Sequence, residues 1–82
     1  MSAPHWEKSM RLIAAFPTTM AAMTMERACR QENLPGRPIP VPRSISASCG
    51  IAWCAPPEAR SALEEMTGRR SIRVEGWYYV ML

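Results

Sequence analysis

The chain has little of what most catalytic and metal sites are built from. Its one histidine among 82 residues is His5, ahead of any periodic pattern, so His-based acid–base catalysis has no framework to stand on. Its three cysteines are Cys29, Cys49 and Cys54, an odd count without secretory features, which argues against a disulfide framework. A zinc site wants about four Cys, His or carboxylate ligands, and these residues offer too few. No apolar run reaches the roughly 18 residues a membrane helix needs. The N-terminus lacks the charged-then-apolar layout of a signal peptide. There is no phosphate loop, no Ser-His-Asp arrangement and no internal repeat. These absences indicate a cytoplasmic protein, in a reducing setting where free thiols persist, with no resident metal or cofactor.

What is present is ordinary for a folded chain. Hydrophobic residues make up 48% and charged ones 21%, the balance of a globular domain rather than a disordered segment. A chain of this length makes one domain and buries only about 60% of its unfolded surface, so the core is thin. The net charge of +3 is mild and is not by itself a nucleic-acid signature.

Residues 1–9, MSAPHWEKS, show no period and read as a frayed N-terminal extension. Met10 stands close to the start of the domain proper, which runs 10–82. Residues 11–16, RLIAAF, are short, apolar and stopped by Pro17, which reads as a buried strand. Residues 17–33 read as a helix, with Thr18 or Thr19 as N-cap and Asn33 as a left-handed stop. Ala21, Ala22, Met25, Ala28 and Cys29 share one face of it, and Glu26 to Arg30 is a favourable i,i+4 pair.

Residues 37–43, RPIPVPR, place Pro38, Pro40 and Pro42 on one side of a strand. Proline removes the N–H donor, so that side cannot pair, and the segment belongs at a sheet edge. Residues 44–48 read as a polar turn and 49–54, CGIAWC, as the next strand of a hairpin. Residues 56–68 read as a second helix, with Pro57 at N1 and Glu58 at its positive end. Its buried stripe is Ala59, Ala62, Leu63 and Met66, and Gly68 is its stop. Residues 71–82 form the last strand, rich in β-branched and aromatic residues. The order β-α-β-β-α-β predicts an α+β, ferredoxin-like sandwich: a four-stranded antiparallel sheet with two helices on one face. That fold puts the second strand at an edge, where the prolines independently place it.

Each cysteine has its own environment. Cys29 lies on the apolar stripe of the first helix and reads as core. Cys49 and Cys54 are five positions apart. On an unbroken strand they point to opposite faces, with Cα atoms about 16 Å apart at roughly 3.3 Å per residue. That excludes a disulfide between them, which needs Cα atoms within about 7 Å. Cys49 stands where the serine-rich turn enters the strand. Gly50 beside it permits close approach of substrate or backbone, and Arg43 flanks the same turn. A guanidinium and free amides near a thiol favour its nucleophilic thiolate form. Cys54 precedes the second helix, whose N-terminus has the same effect. Both thiols have a plain packing reading as well. Trp53, Trp77 and Tyr79 could suggest RNA stacking on the sheet, but the spaced basic and aromatic pattern of RNA-recognition strands is absent. Nucleic acid is not the expected partner.

Three stretches carry a resemblance. FPTTMAAMTME (16–26), LPGRPIPVPRSISASCGIAW (34–53) and VEGWYYV (74–80) resemble the small selenium/sulfur (Se/S) carrier protein-like family, the most specific part being PVPRSISASCG. The resemblance implies a thiol that carries sulfur or selenium as a persulfide or perselenide. Its matching position is Cys49, with Arg43, Ser48 and Gly50 around the bound sulfur. The better-known sulfur carriers place Cys-Pro-x-Pro at a helix start. Here the chain has CAPP, with an inserted alanine, and Cys54 is the second candidate. Implied partners are donor and acceptor enzymes of sulfur transfer, such as a cysteine desulfurase. The competing expectation is a non-enzymatic module that forms a homodimer or binds a small ligand, with structural cysteines.

Overall fold

Thr18 starts the first helix by capping it. Its backbone is extended and its Oγ1 accepts a hydrogen bond from the Ala21 N–H at 3.1 Å, satisfying one of the orphan donors of the first turn. The computed structural model describes residues 9–45 and 49–82. Along it run β1 (Met10–Ala15), α1 (Thr19–Glu32), β2 (Arg37–Pro40), β3 (Ile51–Ala55), a 3-10 turn at Pro57–Ala59, α2 (Arg60–Arg69) and β4 (Gly76–Met81).

Both helices end in the same way. Asn33 takes the left-handed conformation (φ 56°) and the Leu34 N–H reaches back to the Cys29 carbonyl at 2.9 Å. Ser71 does likewise (φ 57°), and the Ile72 N–H reaches the Thr67 carbonyl at 2.9 Å. These are six-to-one closures, in which the residue after the left-handed one turns its side chain inward. Leu34 and Ile72 accordingly pack on the helix-side core. Gly68, expected as the stop, lies inside α2, because Ser71 supplies the left-handed turn instead. Ala62, expected on the buried stripe, is exposed, and Thr67 is buried in its stead.

The four strands form one antiparallel sheet in the order β2-β3-β1-β4. The ferredoxin-like arrangement and the edge position of β2 are therefore both present. Pro38 and Pro40 lie on that edge strand, while the Val41 N–H still bonds the Gly50 carbonyl at 3.0 Å. Three strands differ in length from expectation: pairing in β2 stops at Pro40, β3 starts at Ile51, and β4 starts only at Gly76. Residues 1–8 lie outside the described residues, but Ser9 exchanges both backbone hydrogen bonds with Leu82, at 2.9 and 3.0 Å.

Strand alternation sorts the side chains onto two faces. Leu12, Ala14, Phe16, Trp53 and Ala55 face the helices and meet Met25, Ala28, Leu63 and Met66. Ile13, Ala15, Ala52 and Cys54 face the other way. There they are covered by Ile45, which makes the segment after β2 less polar in role than its sequence reads. Trp77 packs on the helix side, and Tyr79, paired with Leu12, lies under the Arg60 guanidinium at 5.4 Å from the ring centroid. Trp53 and Trp77 therefore pack into the helix-side core, while Tyr79 stays exposed beside Arg60. Among the described residues no helix is long and apolar enough to cross a membrane.

The two helix ends are tied by charge. Glu32 accepts from Arg69 at 2.7 and 3.0 Å and from Arg70 at 2.6 Å. The hydrogen bonds from Arg69 lead in holding its carboxyl down at about 2. A carboxyl lowered by folding adds stability above its unfolded value, and that stability is lost as pH falls through the folded value. Wild-type protein is thus expected to lose melting temperature between about pH 4.5 and pH 2 more steeply than Glu32→Gln. Parallel melting curves across that range would show that the link contributes nothing.

Candidate functional site

Gly50 shapes the turn on which Cys49 sits. Its φ is +79°, and a Cβ there would meet nothing within 4 Å. The glycine is therefore needed for its backbone angle, not for space. The turn folds the Cys49 side chain over the peptide that follows. Its Sγ–H donates to the Ile51 carbonyl at 3.0 Å, and the Ile51 N–H points back to Sγ at 3.4 Å. Cys49 is half-buried and leans on the helix-side core. It lies just outside the paired part of β3, so one side of the sulfur faces packing and the other the turn.

The remaining expected neighbours are not all gathered there. Arg43 is exposed in the turn at 43–45, and among the described residues no hydrogen bond or ion pair joins it to Cys49. Ser48 lies outside the described residues. The amide that bonds to the Cys49 sulfur belongs to Ile51, which sequence reasoning did not name.

Cys54 lies on the opposite face of the sheet, in the cluster with Ile13, Ala15 and Ala52. It is paired across the ladder with Ile13 on one side and Arg37 on the other. The expected helix N-terminus beside it is a 3-10 turn, and α2 begins only at Arg60. The Pro56-Pro57 pair explains the delay. Proline disfavours helical angles in the residue before it, and Pro56 is extended accordingly.

Cys29 is sealed in the core of α1, 1% exposed. Burial, with Glu32 nearby, pushes its thiol up to about 11, so it stays protonated near neutral pH and is a packing residue. Native protein treated with a small alkylating reagent at pH 8 is expected to leave Cys29 unmodified until denaturant is added. Modification at the rate of a free thiol would contradict its burial.

Among the described residues, no group of three His, Cys, Asp or Glu side chains is placed to hold a metal ion. The chemistry the arrangement offers is that of separate thiols, one at a turn and one on an inner strand facing the other side of the sheet. A family model described as "Putative Se/S carrier protein-like" matches residues 11–79. That span runs from β1 through most of β4 and contains all three cysteines. No curated protein and no solved structure matches the chain.

Proposed function

Because this chain belongs to the Se/S carrier protein-like family, we propose that it relays sulfur or selenium between partner enzymes as a persulfide or perselenide on Cys49. The observation that carries the reading is the Cys49 turn. Cys49 is half-buried beside the start of β3 and held by a glycine-dependent bend, with a backbone N–H directed at the sulfur. An amide so placed is a preorganised donor for developing negative charge on sulfur. In the transfer, the Cys49 thiolate attacks the terminal sulfur of a donor persulfide. A new S–S bond forms on Cys49, the donor S–S bond breaks, and the donor leaves as its thiolate. Handing on to the acceptor repeats the same exchange in the other direction.

A carrier of this kind works by docking rather than by enclosing its substrate, so its partners are a donor such as a cysteine desulfurase and an acceptor enzyme. Three unpaired cysteines suit a cytoplasmic setting. The test is intact-protein mass after incubation with a cysteine desulfurase and cysteine. One added sulfur is expected, removed again by a small thiol. A wild-type mass that never rises, with a desulfurase proven active, would sink the carrier reading and leave the binding-module one.

A further inference from the structure

The cavity at the start of β1 holds chemistry that the Cys49 turn does not use. It is an open-sided cleft of about 400 Å3, lined by Arg11, Gly36, Arg37, Cys54, Ala55 and Pro56. Three strands converge on it. Arg37 of β2 is the direct cross-strand partner of Cys54 in β3, and directly opposed residues of an antiparallel pair have Cα atoms about 4.5–5.5 Å apart. Arg11 lies two positions before Ile13, the partner of Cys54 on β1, and so belongs to the same face. Arg11, Arg37 and Cys54 therefore line one cleft on the same face of the sheet.

Among the described residues these two arginines, like Arg27, Arg43 and Arg73, have no ion pair, and they are set apart by lining one cleft together. Arg30, Arg60, Arg69 and Arg70 are all ion-paired with glutamates. Among the described residues neither Arg11 nor Arg37 has a carboxylate within salt-bridge distance. No acidic side chain lines the cleft. Two uncompensated cations beside one concavity focus positive potential into it, and guanidinium forks match the planar edges of oxoanions. Gly36 contributes a wall without a side chain, and Cys54, 8% exposed, lies in the lining of the same cleft.

We propose that this cleft is a second site, which binds a small sulfur oxoanion of the thiosulfate class between Arg11 and Arg37 and presents its sulfane sulfur to Cys54. Binding stands on the cleft alone; the choice of a sulfur-bearing oxoanion over sulfate or phosphate rests on the carrier reading. The step balances without any added oxidant. The Cys54 thiol gives its proton to solvent, its thiolate attacks the sulfane sulfur, and a Cys54 S–S bond forms. The S–S bond of thiosulfate breaks, and sulfite departs with the electron pair. Cys54 lies across the sheet from Cys49, so this loading is independent of the turn thiol.

The experiment uses the full chain at constant ionic strength. Amide chemical shifts are followed while thiosulfate is titrated, and intact mass is read after each incubation. Wild type and Cys49→Ala are both expected to bind saturably, with shifts centred on Gly36, Arg37 and Ala55, and to gain one sulfur. Cys54→Ala is expected to bind and gain none. Arg11→Gln, at a half-buried position, and Arg37→Gln, at an exposed one, with folding checked by circular dichroism, are each expected to weaken binding about tenfold or more. Shifts that never saturate, affinity unchanged in both arginine variants, or sulfur uptake that survives in Cys54→Ala would each overturn the proposal. Using Cys49→Ala as a positive arm separates this outcome from failure of the Cys49 carrier reading, which the desulfurase experiment decides.

Discussion

Cys49→Ala is expected to abolish desulfurase-dependent sulfur loading while the protein stays folded. The loss is all-or-none because the proposed reaction makes and breaks bonds at that sulfur alone. The structural cost is small for reasons visible at the turn. Cys49 is only half-buried, so removing its sulfur returns little apolar area to water. Its hydrogen bonds run to the next peptide but one, and one is a long contact to sulfur. Loss of a partly exposed sulfur of this kind costs about 1 kcal/mol. Gly50, which holds the bend through its positive φ, is unchanged. A thermal melt within a few degrees of wild type, combined with no loading, is the expected pair of results. Loading that continues in Cys49→Ala would move the chemistry to another thiol, and a collapse of stability would make Cys49 a packing residue.

Gly36→Ala is expected to be strongly destabilising. Gly36 has φ +131°, a region in which L-residues are strained. An added Cβ would also fall 2.3 Å from the Trp53 Nε1 and 2.8 Å from the Cys54 carbonyl oxygen. The indole cannot simply turn away. It is 4% exposed, packed in the helix-side core, and its N–H donates to the Pro35 carbonyl at 3.2 Å. Overpacking of this kind costs about 1–3 kcal/mol, backbone strain about 1–3 kcal/mol, and the displaced hydrogen bond about 1 kcal/mol. The sum, about 3–7 kcal/mol, is comparable to the whole stability of a small domain. Chemical denaturation should therefore show a midpoint far below wild type, or no folded baseline at all. A midpoint shifted by less than about 1 kcal/mol would mean that the segment around Gly36 yields freely. Because Gly36 also walls the cleft, any folded fraction should show altered anion binding.

Much of the architecture is legible in local chemistry. Thr18, Asn33, the alternating prolines and the apolar stripe of α1 each act within a few residues of themselves, and they mark elements the structure contains. The second helix is harder to delimit. A glycine advertises a helix stop, yet Ser71 adopts the left-handed turn and Ile72 locks it by inserting into the core. That choice is settled by packing from elsewhere in the chain. Ile45 illustrates the same limit, since nothing in SIS announces that its middle residue will cover the sheet.

The site divides along the same line. Cys49 and Gly50 are adjacent in sequence, and their turn can be read from it. The Ile51 amide is less obvious, because its contact depends on how the Gly50 bend swings the sulfur. Arg11 and Arg37 lie far from Cys54 in sequence, and only register brings them to it. A hairpin drawn with Arg37 opposite Cys54 would have exposed half of that cleft. The other half needs the pairing of β1 with β3, which a single sequence does not specify.

The central claim is that Cys49 is the carrying thiol, and the most direct measurement locates the sulfur. Protein loaded by a cysteine desulfurase is alkylated to trap the persulfide and digested with trypsin. No Lys or Arg separates Cys49 from Cys54, so both fall on the peptide 44–60 and fragmentation between Gly50 and Trp53 must divide them. The extra sulfur is expected on the Cys49 side of that break. Finding it on the Cys54 side, with Cys49 carrying only the alkyl group, would contradict the account.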